Sequence, residues 1–171
     1  PGGCTIYSEL PFVVTGNLFS NNFPMGVYAN TDGATVISNT FNSNGEIAFL
    51  SSGEFPGVLL GNIFQHHSVA VNSNPLLSAH NIYWNNITNL VGLEHGTGDL
   101  LEDPFLDDKF CPYANSPCVD YGVNSGLLTD IHGSERPMGE TYDVGAIEFD
   151  PDNQAPTPTP TPDFEKDIGL E

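Results

Sequence analysis

The chain has 171 residues and a formal net charge of −19, with 22 acidic residues against 3 basic ones. That length suits one domain plus a tail. That charge excludes nucleic acid as a partner, because neutralising phosphates needs a basic face, and an anionic polysaccharide would be repelled by the chain as a whole.

The charge is unevenly placed. Up to Leu93 there are 4 acidic residues and no Lys or Arg, while the segment from Glu94 onward holds 18 acidic residues and all 3 basic ones, Lys109, Arg136 and Lys166. Residues 1–93 instead repeat one phrase four times: Gly16-Asn17-Leu18-Phe19-Ser20-Asn21-Asn22, Ser38-Asn39-Thr40-Phe41-Asn42-Ser43-Asn44, Gly61-Asn62-Ile63-Phe64-Gln65-His66-His67 and His80-Asn81-Ile82-Tyr83-Trp84-Asn85-Asn86. The leading asparagines are 22, 23 and 19 residues apart, one turn of a parallel β-helix. Each unit has an apolar run before the asparagine, an aromatic two residues after it and a second alternating run beyond (Val27-Tyr28-Ala29, Ile47-Ala48-Phe49-Leu50, Val69-Ala70-Val71). Period-two alternation of β-branched and aromatic residues signals strands, and no segment carries a helical stripe. No such unit buries its apolar face alone, so the units must stack.

Stacking brings equivalent residues about 4.8 Å apart. Asn17, Asn39, Asn62 and Asn81 then form an amide ladder, and Phe19, Phe41, Phe64 and Tyr83 an inner stack. The fold expected is all-β: a right-handed parallel β-helix of about four coils over residues 1–93. An irregular acidic cap over 94–149 covers the last coil, and a Pro/Thr-rich tail occupies 150–171. The tail, with Ala155-Pro156-Thr157-Pro158-Thr159-Pro160-Thr161-Pro162, reads as an extended linker. No stretch has the length and apolarity of a transmembrane helix, and none reads as a signal peptide. A chain starting at Pro1 reads as a processed product or part of a longer protein. The first coil has no cap of comparable length, so that end suits either further coils or a neighbouring subunit.

The coils offer little chemistry. They contain no Lys or Arg to serve as a proton-abstracting base. Asp32 and Glu54, in consecutive coils, are the one carboxylate pair that stacking would bring near each other. His66-His67 interrupts the repeated phrase, but neighbouring residues on a strand point to opposite faces and do not share a metal. Tyr7, Tyr28 and Trp84 are the aromatics available to stack on sugar, and Asn86-Ile87-Thr88 has the pattern of a glycosylation acceptor. In the acidic segment, Asp99, Asp103, Asp107 and Asp108 are hard oxygen ligands of the kind a structural Ca²⁺ takes, set against a plain solvated acidic loop. Cys111 and Cys118 enclose a tight loop suited to a disulfide, with Cys4 left over; the spacing is not that of a zinc knuckle. A disulfide would place the chain in an oxidising, extracellular compartment.

The ending carries a resemblance. Asp103-Pro104-Phe105-Leu106-Asp107, Asn115-Ser116-Pro117-Cys118-Val119-Asp120-Tyr121-Gly122, Asp130-Ile131-His132-Gly133-Ser134-Glu135-Arg136-Pro137 and Asp143-Val144-Gly145-Ala146-Ile147-Glu148-Phe149 resemble the C-terminal signature of secreted right-handed parallel β-helix surface proteins of the pectate-lyase-like superfamily. The chain departs from that pattern in its cysteine pair and its small number of coils. The resemblance implies a location at a cell surface, and a cap held together by Asp120, Asp130, Asp143 and Glu148 around Arg136. It does not choose an activity, because the superfamily holds lyases, hydrolases, adhesins and structural proteins. No residue is assigned as catalytic. The expected role is that of a non-catalytic extracellular module, structural, adhesive or self-assembling, with filaments as one form. Its partners would be further copies, other cell-surface components or a polysaccharide. The alternative is the C-terminal part of a polysaccharide lyase or glycoside hydrolase whose active coils lie upstream.

Overall fold

In a computed structural model of the chain, the described residues are 3–30, 33–53, 57–73 and 76–152. Among them there is no helix, and thirteen strands follow one another around a stack. After β1 (Gly3–Ser8) the coils run β2 (Val13–Thr15), β3 (Leu18–Ser20), β4 (Pro24–Ala29); β5 (Thr35–Ile37), β6 (Thr40–Asn42), β7 (Ile47–Ser51); β8 (Gly57–Leu60), β9 (Ile63–Gln65), β10 (Val69–Asn72); and β11 (Leu76–Ala79), β12 (Ile82–Trp84), β13 (Thr88–Val91). Each strand pairs in parallel with its equivalent one coil away. The result is three sheets, β1-β4-β7-β10-β13, β2-β5-β8-β11 and β3-β6-β9-β12. The protein is a parallel β-solenoid of about four turns.

In register, like residue types meet across coils. Val14 pairs with Val36 and Val36 with Leu59, all buried. Phe19, Phe41, Phe64 and Tyr83 stack with ring centroids 4.8, 4.9 and 5.3 Å apart and planes within 13° of parallel. Aromatic pairs at such separations contribute about 0.5–1.5 kcal/mol each beyond the area they bury.

The two corners that flank the middle strand of each coil follow one rule. A residue in the left-handed conformation comes first, then an asparagine or, once, a histidine that bonds the neighbouring coil. At the first corner the left-handed residues are Gly16 (φ 65°), Ser38 (53°), Gly61 (60°) and His80 (51°), each just before a ladder asparagine. At the second corner they are Asn21 (57°), Ser43 (50°), His66 (63°) and Asn85 (49°). This is why the phrase is seven residues long: it is one three-residue strand held between two corners.

The stack continues past residue 93. Thr97 bridges Ala79, Leu100 bridges Ile82, and the Leu100 N–H donates to Asn81 O at 2.8 Å. Within the expected cap, 94–149, residues 116–149 run along the flank of the β3-β6-β9-β12 sheet. Its outward residues explain the route: Ile63 and Ile82 are buried against Cys118 and Val144, outside the core proper. The Gly145 N–H donates to Gly61 O at 2.8 Å, and the Ala146 N–H to Thr40 Oγ1 at 3.1 Å. Gly145 has φ 99°, and a Cβ there would meet Ile63 Cδ1 at 2.7 Å, so only glycine fits. Further along, a Cβ on Gly16 would lie 2.7 Å from Leu127 Cδ1, so the flank segment reaches the first coil. The expected linker and tail, 150–171, lie outside the described residues from 153 onward.

Candidate functional site

The ladder is a directed chain of hydrogen bonds. Asn39 Oδ1 accepts the main-chain N–H of Asn17 (2.9 Å) and its side-chain amide (3.2 Å). Asn62 Oδ1 does the same for Asn39 (3.0 and 3.1 Å), and Asn81 Oδ1 for Asn62 (2.9 and 3.0 Å). The spare amide hydrogen of each inner rung reaches back to a main-chain carbonyl of the previous coil: Asn39 to Val14 O, Asn62 to Val36 O and Asn81 to Leu59 O.

The next rung is Asp99, which sequence reasoning had placed among candidate calcium ligands. Its Oδ1 accepts the Asn81 N–H (2.8 Å) and amide (3.0 Å), and its Oδ2 accepts Ser78 Oγ and the Gly96 N–H, both at 2.8 Å. The signal was present in the sequence, since Gly98 (φ 73°) precedes Asp99 as Gly61 precedes Asn62. An ionised carboxylate only accepts, so a chain of amide donors ends on it. The other three candidates do not join it. Asp103 Oδ1 accepts the Phe105 N–H, Asp107 Oδ1 accepts the Lys109 and Cys111 N–H groups, and Asp108 is exposed. Among the described residues no group of three or more His, Cys, Asp or Glu side chains is placed to hold a metal ion.

A second ladder runs along the second corner, and His67 belongs to it. Asn44 Oδ1 accepts from the Asn22 N–H and amide (3.2 and 2.7 Å), His67 Nδ1 accepts the Asn44 N–H (3.2 Å), and Asn86 Oδ1 accepts the His67 N–H (2.9 Å). His67 is buried and its Nε2 has no hydrogen-bond partner. Burial lowers its pKa to about 4. The break in the phrase is therefore a histidine doing an asparagine's work, while its exposed neighbour His66 faces Asn42 Oδ1 at 3.4 Å. The Asn86 amide of the candidate glycosylation site is spent on Phe64 O at 2.9 Å.

Arg136, the only arginine, is buried at the centre of the flank segment. Its Nε donates to Glu148 Oε1 at 2.6 Å, and its two terminal nitrogens donate to the carbonyls of Gly145 and Asp143. Glu148 also accepts the N–H groups of Asp143 and Met138. Asp130 takes those of His132, Ser134 and Glu148, Asp143 those of Asp120 and Phe149, and Asp120 that of Thr141. Burial pushes Asp143 up to about 6. Asp143 and Asp120 line a cavity of about 220 Å³ with Val119, Met138 and Phe149. Hydrolysis by a carboxylate pair needs one oxygen free to handle a proton and another to activate water or attack. Here both Asp143 oxygens are already bound to main-chain N–H groups.

The expected disulfide is not formed: Cys111 and Cys118 are both free thiols. The Cys118 side chain is committed to the packing against Ile63, Ile82 and Val144, with its Sγ 3.4 Å from Pro104 O. Burial raises its pKa to about 12. Of the sugar-stacking candidates, Tyr7 and Tyr28 meet at 5.3 Å on the outer face of the β1-β4-β7-β10-β13 sheet, and Trp84 is half-buried. Asp32, Glu54 and the side chain of Cys4 lie outside the described residues. No protein-family model matches the chain, nor does any curated protein or solved structure.

Proposed function

We propose that the chain is a non-catalytic extracellular β-helix module with a structural or adhesive role at a cell surface. The observation that carries this reading is the employment of its chemistry-bearing side chains. Asp99, Asp130, Asp143, Glu148 and Arg136 are all buried or nearly so, and each is engaged in bonds that hold the coils or the flank segment in place. A catalytic acid or base needs a proton-exchanging atom facing substrate, and the hydrogen-bonding atoms of these groups are already engaged within the protein. The extracellular setting rests on the ending's resemblance to secreted surface proteins.

The test is a panel of neutral and acidic polysaccharides incubated with the full chain, followed by reducing-end and unsaturated-product assays. No turnover is expected. Turnover abolished by Asp120→Asn or Asp143→Asn, in protein that still melts cooperatively, would replace this reading with the hydrolase alternative.

A further inference from the structure

The flank segment encloses the cavity of about 220 Å³ between stretches of its own chain. Residues 118–122 are pinned against 142–144 at both ends: the Gly122 N–H donates to Tyr142 O at 2.6 Å, and the Val144 N–H to Cys118 O at 2.9 Å. Asp120, in the left-handed conformation (φ 54°), lies between these bonds. Its N–H donates to Asp143 Oδ1 at 2.8 Å, and its Oδ1 accepts the Thr141 N–H at 2.9 Å. Gly139 passes directly over that carboxylate, and a Cβ there would collide with both of its oxygens. Val119, Met138, Phe149 and Pro151 supply apolar walls.

Two carboxyls meet in this cavity without a countercharge. Asp143 is 2% exposed and accepts two main-chain N–H groups, yet among the described residues no ion pair reaches it. The Arg136 guanidinium is spent on Glu148 and on the carbonyls of Gly145 and Asp143. Asp120 Oδ2 has no donor among the described residues. Buried charges in proteins are ordinarily paired, so what the cavity lacks is positive charge.

The geometry narrows which cation fits. Hard divalent ions take about six or more oxygen ligands, but both Asp143 oxygens are occupied, and no group of three or more ligating side chains exists among the described residues. A neutral ligand leaves the charge unanswered, and an anion is repelled by the net charge of −19. A monovalent ammonium needs only the open Asp120 oxygen, and an apolar body attached to it would cover Met138 and Phe149. Cations are also attracted to aromatic faces such as that of Phe149. The cavity is smaller than the about 300–1,000 Å³ of drug-sized sites, which limits that body to one ring or a short alkyl chain.

We infer that this cavity binds a small primary ammonium with a compact apolar body, which donates to Asp120 Oδ2 and packs against Val119, Met138 and Phe149. The site goes beyond the non-catalytic reading and does not depend on it.

The probe is benzylammonium, titrated into the full chain at about pH 7.5, where both carboxyls are ionised, and followed by amide NMR shifts. Saturable shifts are expected at Asp120, Thr141 and Phe149 and none at Asn39 or Asn62, with benzyl alcohol at least tenfold weaker. Asp120→Asn keeps the acceptor for the Thr141 N–H but loses the charge, and should weaken binding at least tenfold. Asp108→Asn, at an exposed carboxylate of the same acidic segment, should bind like the parent. Met138→Ala leaves both carboxyls in place and keeps the test open if Asp120→Asn does not fold. It should lower benzylammonium affinity about threefold or more and leave methylammonium unchanged. Unsaturable shifts, or benzyl alcohol binding as tightly as the amine, would overturn the proposal. Equal weakening by Asp108→Asn and Asp120→Asn would do the same, since the amine would then be a counterion of the whole segment. Displacement of the amine by Ca²⁺ but not by NaCl of matched ionic strength would make the cavity a metal site instead. Polysaccharide turnover, the result that defeats the non-catalytic reading, is measured separately and leaves these outcomes unaffected.

Discussion

The coils and the flank segment both bury polar groups, by opposite means. In the coils the buried groups are neutral amides, and each rung bonds a copy of itself one turn away. In the flank segment they are charged, occur once each, and converge on a single Arg136–Glu148 pair. The comparison teaches how stability is distributed. A ladder adds in increments, one rung per coil, as nearest-neighbour repeats do. The flank knot is all or none, because removing either ion leaves the other buried without its countercharge.

The sharpest break is expected in the coils. Phe64 is fully buried between Phe41 and Tyr83, at 4.9 and 5.3 Å. Phe64→Ala should cost about 3–5 kcal/mol, the usual range for a large aromatic in a packed core. Its neighbour Ile63 is the surface on which Gly145 rests, so the flank should loosen with the coils. Urea unfolding followed by far-UV circular dichroism reads the first effect, and exchange of the Gly145 amide, bound to Gly61 O, reads the second.

Arg136→Met comes next, with a similar cost of about 3–5 kcal/mol that should stay local. Amides of residues 130–149 should lose exchange protection while those of Asn39 and Asn62 keep theirs. Adding Glu148→Leu should restore part of the loss, because the uncompensated charge is then gone. Equal loss of protection in the ladder would show that flank and coils form one cooperative unit and would dissolve the contrast.

The coils were legible in the sequence because a solenoid repeats its physics. Asparagine, aromatic and apolar strand return in register, so four imperfect copies identify the ladder and the stack. The fifth rung escaped because Asp99 is an acid in a segment dense with acids, and composition pointed to solvent or calcium. The second ladder escaped because histidine stands at its third position, where a substitution looked like an interruption. The route of residues 116–149 was hidden for a different reason: nothing local marks Ile63 and Ile82 as outward-facing and in need of cover. Only their partners, more than thirty residues away along the chain, make them buried.

Each region contains one buried group whose titration distinguishes it, and the two act with opposite sign. His67 has its pKa lowered from 6.5 to about 4, so between those values the unfolded chain holds the extra proton and stability rises with pH. Asp143 has its pKa raised from 3.8 to about 6, so the folded chain holds the extra proton over nearly the same window and stability falls with pH. Each effect amounts to about 3 kcal/mol, and together they nearly offset. Unfolding free energies of the parent should therefore change little between pH 4 and 6.5 on account of these two groups. His67→Asn, which restores the rung found in the other coils, should expose the falling slope. Asp143→Asn should expose the rising one. Parallel curves for both variants and the parent would refute the assignment.

The smallest effects test the direction of the ladder. Asn62→Ala removes the acceptor for the Asn39 N–H and leaves it buried without a partner, a cost of about 1–3 kcal/mol. Asn17→Ala removes only donors, at an exposed rung whose main-chain N–H still reaches Asn39 Oδ1, and should cost about 0.5–1 kcal/mol. The two acid–amide exchanges separate direction from mere deletion. Asn62→Asp keeps the acceptor but sets a second oxygen against Asn81 Oδ1 and Val36 O, so it should be worse than Asn62→Ala. Asp99→Asn makes the opposite error: with one oxygen kept for Asn81, its new NH₂ group faces the Gly96 N–H, donor against donor. It too should destabilise, although it installs the residue that every other rung prefers. If Asp99→Asn proved neutral while Asn62→Asp did not, the chain of amide donors would not close on Asp99 by chemistry, and the direction of the ladder would lose its basis.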